Sequence, residues 1–364
     1  MLSPKRTVIL KKILPHLIIL QIGGLLYLLI ERGLLGNVSQ YPATGNYYNF
    51  WMSLITITSI SALLGILLGI SEEYVFKNLL RKRSFLLKLL LKTTLYVSII
   101  FSTLIISALV PNILLTDLSP KGLDVLQPAV KFASNFAFLS VLIYCGVIIG
   151  ISLFFSEMVD YIGLKAITNF FTGKYSKSIV EDRVFMFLDM KSSTTIAEKL
   201  GHKRYYQLLN NYYQDMTDAI ISTEGEIYQY VGDEIVVSWE FTRGIKDCNC
   251  LYSFFLIKNQ MEKRRAFYEK EFGLVPDFKA GLHHGKVTAG EVGIIKKEIL
   301  FTGDVLNTTA RIQSLCNEQG ANLLISEELK IVLDLEESYN AQSKGSFELR
   351  GRDQKIKLFA VDRK

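Results

Sequence analysis

Two aspartates stand where a carboxylate is costly unless something uses it. Asp189 closes an apolar run in Phe187-Leu188-Asp189-Met190-Lys191-Ser192-Ser193-Thr194. Asp233 sits at a turn tip in Tyr230-Val231-Gly232-Asp233-Glu234. A strand end and a turn tip can bring two carboxylates together. Such a pair can hold two divalent cations about 3.5–4 Å apart, the arrangement used for in-line attack on a phosphate. Residues 191–194 open a helical stretch, whose free N–H groups and dipole suit a polyphosphate. Taken singly, Asp189 also reads as a helix cap and Asp233 as a turn former. Farther along, Asn307 and Arg311 stand four residues apart and share one helix face. An amide beside a guanidinium suits a ribose and a phosphate that gains charge during reaction.

The elements that must position these residues follow from periodicity. Residues 184–189 read as a buried strand, and 194–223 as a helix broken near Gly201. Strands over 226–231 and 234–239 flank Gly232-Asp233, a hairpin signal. A charged amphipathic helix runs to about Phe272, followed by strands over 277–284 and 286–292 around Gly285, and another over 299–302. Helical spacing returns over 305–315, and short strands over 322–325, 345–349 and 358–361 complete an α+β unit with helices on a mixed sheet.

The first 155 residues are different. Hydrophobic residues make up 49% of the chain and mean hydropathy is +0.26 despite 21% charged residues, which excludes both a disordered protein and a wholly soluble one. The excess apolarity lies in four runs, 13–30, 50–70, 93–110 and 132–155, each long enough to cross a hydrocarbon core. The first retains His16 and Gln21, expected to satisfy helix–helix hydrogen bonds; the other three are uncharged, and no buried Asp, Glu or Arg marks an ion path. It is read as a retained helix, not a signal peptide.

Twelve lysines and arginines flank one side of these runs and three the other, which places both termini and the soluble unit in the cytoplasm, at a plasma (inner) membrane. Basic segments beside anionic lipid account for the net charge of +6, so no nucleic acid partner is needed. Gly65 with Gly69, and Gly146 with Gly150, permit close helix approach, either within the bundle or between copies. Residues 156–180 form an amphipathic linker helix, so three parts are expected: 1–155, 156–180 and 181–364. The cysteines Cys145, Cys248, Cys250 and Cys316 lack the spacing of a disulfide framework or a metal clip.

Five segments, FLDMKSST, QYVGDE, GLHHGKVTAGEVG, FTGDVLNTTAR and ELRGRDQKIKLFAV, occur in that order. Through them residues 183–361 resemble the catalytic domain of class III nucleotidyl cyclases, the adenylate and guanylate cyclase family. The resemblance implies a ferredoxin-like, palm-type mixed sheet with packed helices. It implies two divalent cations, Mg²⁺ or Mn²⁺, on Asp189 and Asp233, with the Met190 backbone beside them. Ser192, Ser193 and Thr194 would contact the triphosphate, Asn307 would orient the ribose and Arg311 would stabilise the transition state. Arg350 stands where the family usually has a phosphate-binding lysine. Sites in this family form between two chains head to tail, one giving both aspartates and its partner the Asn and Arg, so a homodimer is implied.

The base-reading positions depart from the family pattern. Adenylate cyclases typically carry Lys, and Asp or Thr, where this chain has Gln229 and Leu300; guanylate cyclases carry Glu and Cys. Thr302 stands near enough to substitute for Leu300. ATP is the expected substrate by association with membrane-anchored members, while guanylate or pyrimidine specificity, or a catalytically weak membrane sensor, remain alternatives. The Val231-Gly232-Asp233-Glu234 segment also resembles the signature of diguanylate cyclases, but GDVLNTTAR has no counterpart there. His283 and His284 are expected to be structural, and Tyr205, Tyr206, Tyr212 and Tyr213 to pack.

Overall fold

The computed structural model describes residues 4–39, 48–76, 79–80, 83–115, 134–335, 338–348 and 355–364. The chain divides into two compact units, Val8–Thr168 and Asn169–Lys364.

Among the described residues the first unit holds four helices long and apolar enough to cross a membrane: α1 (Pro4–Leu35), α2 (Phe50–Ser71, continued by a π-helical turn Glu72–Phe76), α3 (Phe85–Leu115) and α4 (Phe136–Ile162). The expected run over 93–110 lies inside α3, whose apolar stretch among the described side chains is Phe85–Ser102. Helix–helix hydrogen bonds take up the polar residues: His16 Nδ1 lies 2.7 Å from Ser152 Oγ, and Gln21 Nε2 donates to Thr58 O at 2.7 Å. Gly65 is a close-approach position within the bundle, since a Cβ there would lie 2.7 Å from Leu17 Cα.

The helices run on past the four apolar runs, which themselves hold no acid, into charged turns that do. Lys92, on α3, is buried with its ammonium against Glu72 and 2.8 Å from Glu157 Oε1 of α4. Glu157 also receives Lys88 at 3.2 Å, and Lys12 of α1 reaches Asp160 at 2.6 Å and Glu73 at 3.7 Å. All four helical segments thus contribute charge to one ion-paired layer. Gly163, at φ 93°, then ends α4 before a short helix α5 (Leu164–Thr172).

The second unit is an eight-stranded sheet in the order β2-β3-β1-β4-β6-β8-β7, with β5 paired to β4. The strands are β1 (Ile179–Met190), β2 (Glu226–Val231), β3 (Glu234–Glu240), β4 (Phe278–Val292), β5 (Glu298–Thr302), β6 (Leu323–Ser326), β7 (Tyr339–Phe347) and β8 (Ile356–Arg363). Among the described residues only β4 and β6 pair in parallel. β1 alternates apolar residues on both faces, and both are buried. Val184, Met186, Leu188 and Met190 face a core shared with α6 (Ser193–Ser222), α8 (Asn249–Lys263) and α9 (Arg265–Phe272). Phe185 and Phe187 join Tyr175, Val287, Phe301 and Val305 on the other side.

The amphipathic stretch before Phe272 is divided among α7 (Phe241–Ile245), α8 and α9. The two strands expected around Gly285 are one continuous strand, β4. Gly285 serves close packing there and does not break the strand: a Cβ would stand 2.8 Å from Val305 Cγ2 of α10 (Asp304–Ser314). Gly281, four residues earlier, is tighter still, for a Cβ there would collide with the backbone nitrogen of Gln313. These two positions let α10 lie directly on β4.

Candidate active site

Asp189 is the penultimate residue of β1, with Glu234 of β3 and Lys279 of β4 as its cross-strand partners. Asp233 follows Gly232, whose φ of 64° makes the two-residue turn between β2 and β3. Tyr213 on α6 fixes that hairpin. Its hydroxyl donates to Gly232 O at 2.8 Å, and its ring lies 4.5 Å from that of Tyr230. Tyr212 beside it is fully buried in the core, and Tyr205 and Tyr213 pack against that core as expected, whereas Tyr206 is 67% exposed and does not.

The two aspartates do meet. Burial raises the Asp189 pKa above the ordinary carboxylate value, and the neighbouring Asp233 carboxylate raises it further. Lys279 Nζ, 3.6 Å from Asp189 Oδ2, and Gln313 Nε2, donating to the same oxygen at 3.1 Å, act in the opposite direction. Glu234 feels the same accumulation of negative charge: burial first, then Asp189 and Asp233, push it to about 7. Asp233 Oδ2 is buried with no hydrogen-bond partner. Two carboxylates crowded together, one with an orphaned oxygen, are what a hard divalent cation would relieve. The residues present therefore fit such a group. No set of three or more His, Cys, Asp or Glu side chains arranged for a metal occurs among the described residues, so the site is a carboxylate pair.

Beside the pair, α6 begins with an open end. Ser192 occupies its N-cap position in a left-handed conformation, φ 55°, and its side chain makes no capping hydrogen bond. Ser192 and Thr194 are exposed and Ser193 is half-buried. Lys191 turns away to Asp277 and Asn322.

α10 carries Asn307, exposed, and Arg311, half-buried with Nη1 buried and without a hydrogen-bond partner. Among the described residues no hydrogen bond joins either of them to Asp189 or Asp233 within the chain. Gln229 lies exposed beside a bulge in β2, Leu300 is 41% exposed on β5, and Thr302 Oγ1 is 3.4 Å from Thr288 O. Tyr228 and Phe301, the residues adjoining Gln229 and Leu300, do touch: their rings are 5.0 Å apart and the Phe301 N–H donates to Tyr228 Oη at 3.2 Å. Arg350 lies outside the described residues.

His283 is buried and paired with Ser326 Oγ at 2.7 Å, and His284 Nε2 is 3.2 Å from Glu328 O, in keeping with structural roles. Sequence reasoning missed Lys279, Gln313 and the hairpin clamp of Tyr213. Lys279 becomes visible only through the β1–β4 register, whereas Gln313, two residues beyond Arg311, was open to inspection as a polar residue on an apolar helix face.

Residues 177–362 match the model of the adenylate and guanylate cyclase catalytic domain. The chain belongs to that family. Catalytic domains of this family generally use divalent metal ions. The chain is 34% identical over 223 residues to adenylate cyclase 2 of Rhizobium meliloti (strain 1021), covering 61% of each, and 29% identical over 183 residues to an adenylate cyclase of Anabaena cylindrica, covering 48% of this chain and 36% of that one. It thus spans less than two thirds of the length of these curated relatives. Among solved structures, the adenylyl cyclase CyaB from P. aeruginosa is similar at a TM-score of 0.46 and 21% identity, over 51% of this chain and 96% of that one.

Proposed function

We propose that this chain is a membrane-anchored adenylate cyclase that converts ATP to 3′,5′-cyclic AMP and pyrophosphate at composite sites of a homodimer. The observation that carries the reading is the crowded Asp189–Asp233 pair with its orphaned oxygen, beside the uncapped end of α6. Asp189, Asp233 and the Met190 carbonyl would hold two divalent cations, Mg²⁺ or Mn²⁺. When bound, these neutralise the triphosphate and lower the pKa of the ribose 3′-hydroxyl.

The protein's own groups do the rest. Backbone N–H groups over Ser192, Ser193 and Thr194 receive phosphate oxygens, and the Lys279 ammonium adds positive charge beside them. Asn307 orients the ribose. Arg311, whose guanidinium has a buried unpaired nitrogen, meets the charge that builds on the α-phosphate as the 3′-oxygen attacks in line and pyrophosphate leaves. Gln229 and Thr302 offer the hydrogen bonds that read the base, with Leu300 as an apolar wall. Arg350 adds a phosphate contact.

Asn307 and Arg311 make no hydrogen bond to the acids among the described residues, and in the family pattern a second copy supplies them. α1–α4 would span the inner membrane with both termini and the catalytic unit in the cytoplasm, and residues 156–180 would join the two parts.

Complementation tests this arrangement. Chains carrying Asp233→Ala and chains carrying Arg311→Ala are expected to be inactive alone. Co-expressed, they form mixed dimers with one intact site and regain cyclic nucleotide formation. Absence of recovery in verified mixed dimers would contradict the composite site.

A further inference from the structure

Gln313 lies on the same helix as Asn307 and Arg311 but points to a different place. It is 7% exposed, and its Nε2 donates to Asp189 Oδ2 at 3.1 Å. Lys279, 9% exposed, sets its ammonium 3.6 Å from that same oxygen. Both neighbours hold Oδ2, so together they set the rotation of the carboxylate about its own axis. The amide matters differently from the ammonium, because a hydrogen bond fixes direction while a point charge mainly supplies attraction.

The placement of Gln313 is itself constrained. The absence of a side chain at Gly281 lets the Gln313 backbone sit against β4, and Gly285 does the same for Val305 more than two helical turns away. With α10 seated at two points, the height of the Gln313 amide over the sheet is determined by backbone packing and not by side-chain choice. Ile312 and Thr309, both buried, hold the flanks.

We propose that Gln313 is a positioning residue that orients the Asp189 carboxylate for metal binding and ties that orientation to the helix bearing Asn307 and Arg311. The proposal rests on the metal-site reading above. In the homodimer of that reading, one α10 serves both composite sites: its Asn307 and Arg311 complete one, while its Gln313 steadies the aspartate of the other. An outer partner of a metal-binding carboxylate commonly contributes about 10-fold to metal affinity.

The test uses the full chain in detergent, with Mn²⁺ as the probe. Mn²⁺ binding is read by electron paramagnetic resonance and by the shift that Mn²⁺ produces in the thermal midpoint, alongside the Mn²⁺ dependence of turnover. Gln313→Met keeps the volume and removes the donor; Gln313→Asn keeps the amide but withdraws it from Asp189, and guards against a folding defect in the first variant. Both are expected to weaken Mn²⁺ binding about 10-fold while the nucleotide KM at saturating Mn²⁺ stays within about twofold. Arg311→Ala, on the same helix, is expected to lower turnover and leave Mn²⁺ binding unchanged. Wild-type Mn²⁺ affinity in both Gln313 variants would overturn the proposal. Equal weakening by Arg311→Ala would also overturn it, since the effect would then belong to displacement of the helix. A wild-type chain that binds no Mn²⁺ would remove the metal-site reading and this proposal with it.

Discussion

A charge cluster in the first unit and another in the second are built in opposite ways. In the membrane unit Glu72, Lys92 and Glu157 are each at least nine-tenths buried, and every charge has a partner of opposite sign. Lys88, Lys12 and Asp160 extend the same pairing outward. In the catalytic unit Asp189 and Asp233 put like charges together, with a third acid, Glu234, beside them and, among the described residues, Lys279 opposite. The first group is complete as it stands, which is how a structural ion-pair layer survives removal from water. The second is left short of positive charge and with an orphaned oxygen, which is how a site that awaits a cation looks.

The largest test of this contrast is on activity. Asp233→Ala is expected to reduce turnover by at least about 10³-fold, because it removes half of the carboxylate pair, while leaving the thermal midpoint of the metal-free protein no lower than wild type. Arg311→Ala is expected to cost about 10²–10³-fold in kcat, the range for a group that meets charge formed in the transition state.

The membrane group should respond in the reverse sense. Glu157→Ala leaves Lys92 and Lys88 with an unbalanced buried charge, and a destabilisation of about 3 kcal/mol is expected, read as a fall in the thermal midpoint in detergent. Nucleotide KM should not change. If Glu157→Ala left stability intact and Asp233→Ala lowered it, the two groups would have been assigned the wrong way round.

Base choice comes next in size. Replacing Gln229 by Lys together with Leu300 by Asp is expected to increase the ATP-over-GTP ratio of kcat/KM by about 10-fold or more, through a new hydrogen-bonding pair at the base. The smallest effect concerns pH. The Asp189 pKa is raised in the folded state, so its ionised form disfavours folding. Its contribution is harmless below the unfolded pKa near 3.9 and becomes destabilising as pH rises through the folded value. Asp189→Asn is therefore expected to be more stable than wild type at neutral pH in chelator and no more stable near pH 3. Added Mn²⁺ should raise the wild-type midpoint and leave that of Asp189→Asn unchanged.

Much of the catalytic unit was legible in the sequence because its signals are local. The hairpin at Gly232-Asp233, the strand ending at Asp189 and the helix beginning at Ser193 each carry their own turn or period. What was not legible depends on register and packing. Lys279 becomes a neighbour of Asp189 only when β4 is laid against β1. Gly285 looked like a strand break because a glycine in a strand pattern carries that meaning alone; here it makes room for Val305. The ion-paired layer was missed for a different reason. A search for uncharged runs stops at the first charge, whereas helices α2 and α4 continue through Glu72 and Glu157 because those acids find lysines on α3. The assignment of Gln229, Leu300 and Thr302 to the base still rests on their place in the family pattern, with the Tyr228–Phe301 contact holding β2 and β5 together beneath them.

The central claim is that the crowded aspartates serve cyclisation of ATP. It is tested most directly by incubating the purified, detergent-solubilised protein with ATP, GTP, CTP and UTP separately, each with Mn²⁺ and with Mg²⁺, and identifying the products. Cyclic AMP as the dominant product, lost in Asp233→Ala, is the predicted result. Dominance of another cyclic nucleotide would contradict the assignment of ATP while keeping the metal and phosphate chemistry. No cyclic product from any of the four, from folded dimeric protein, would contradict the enzyme itself.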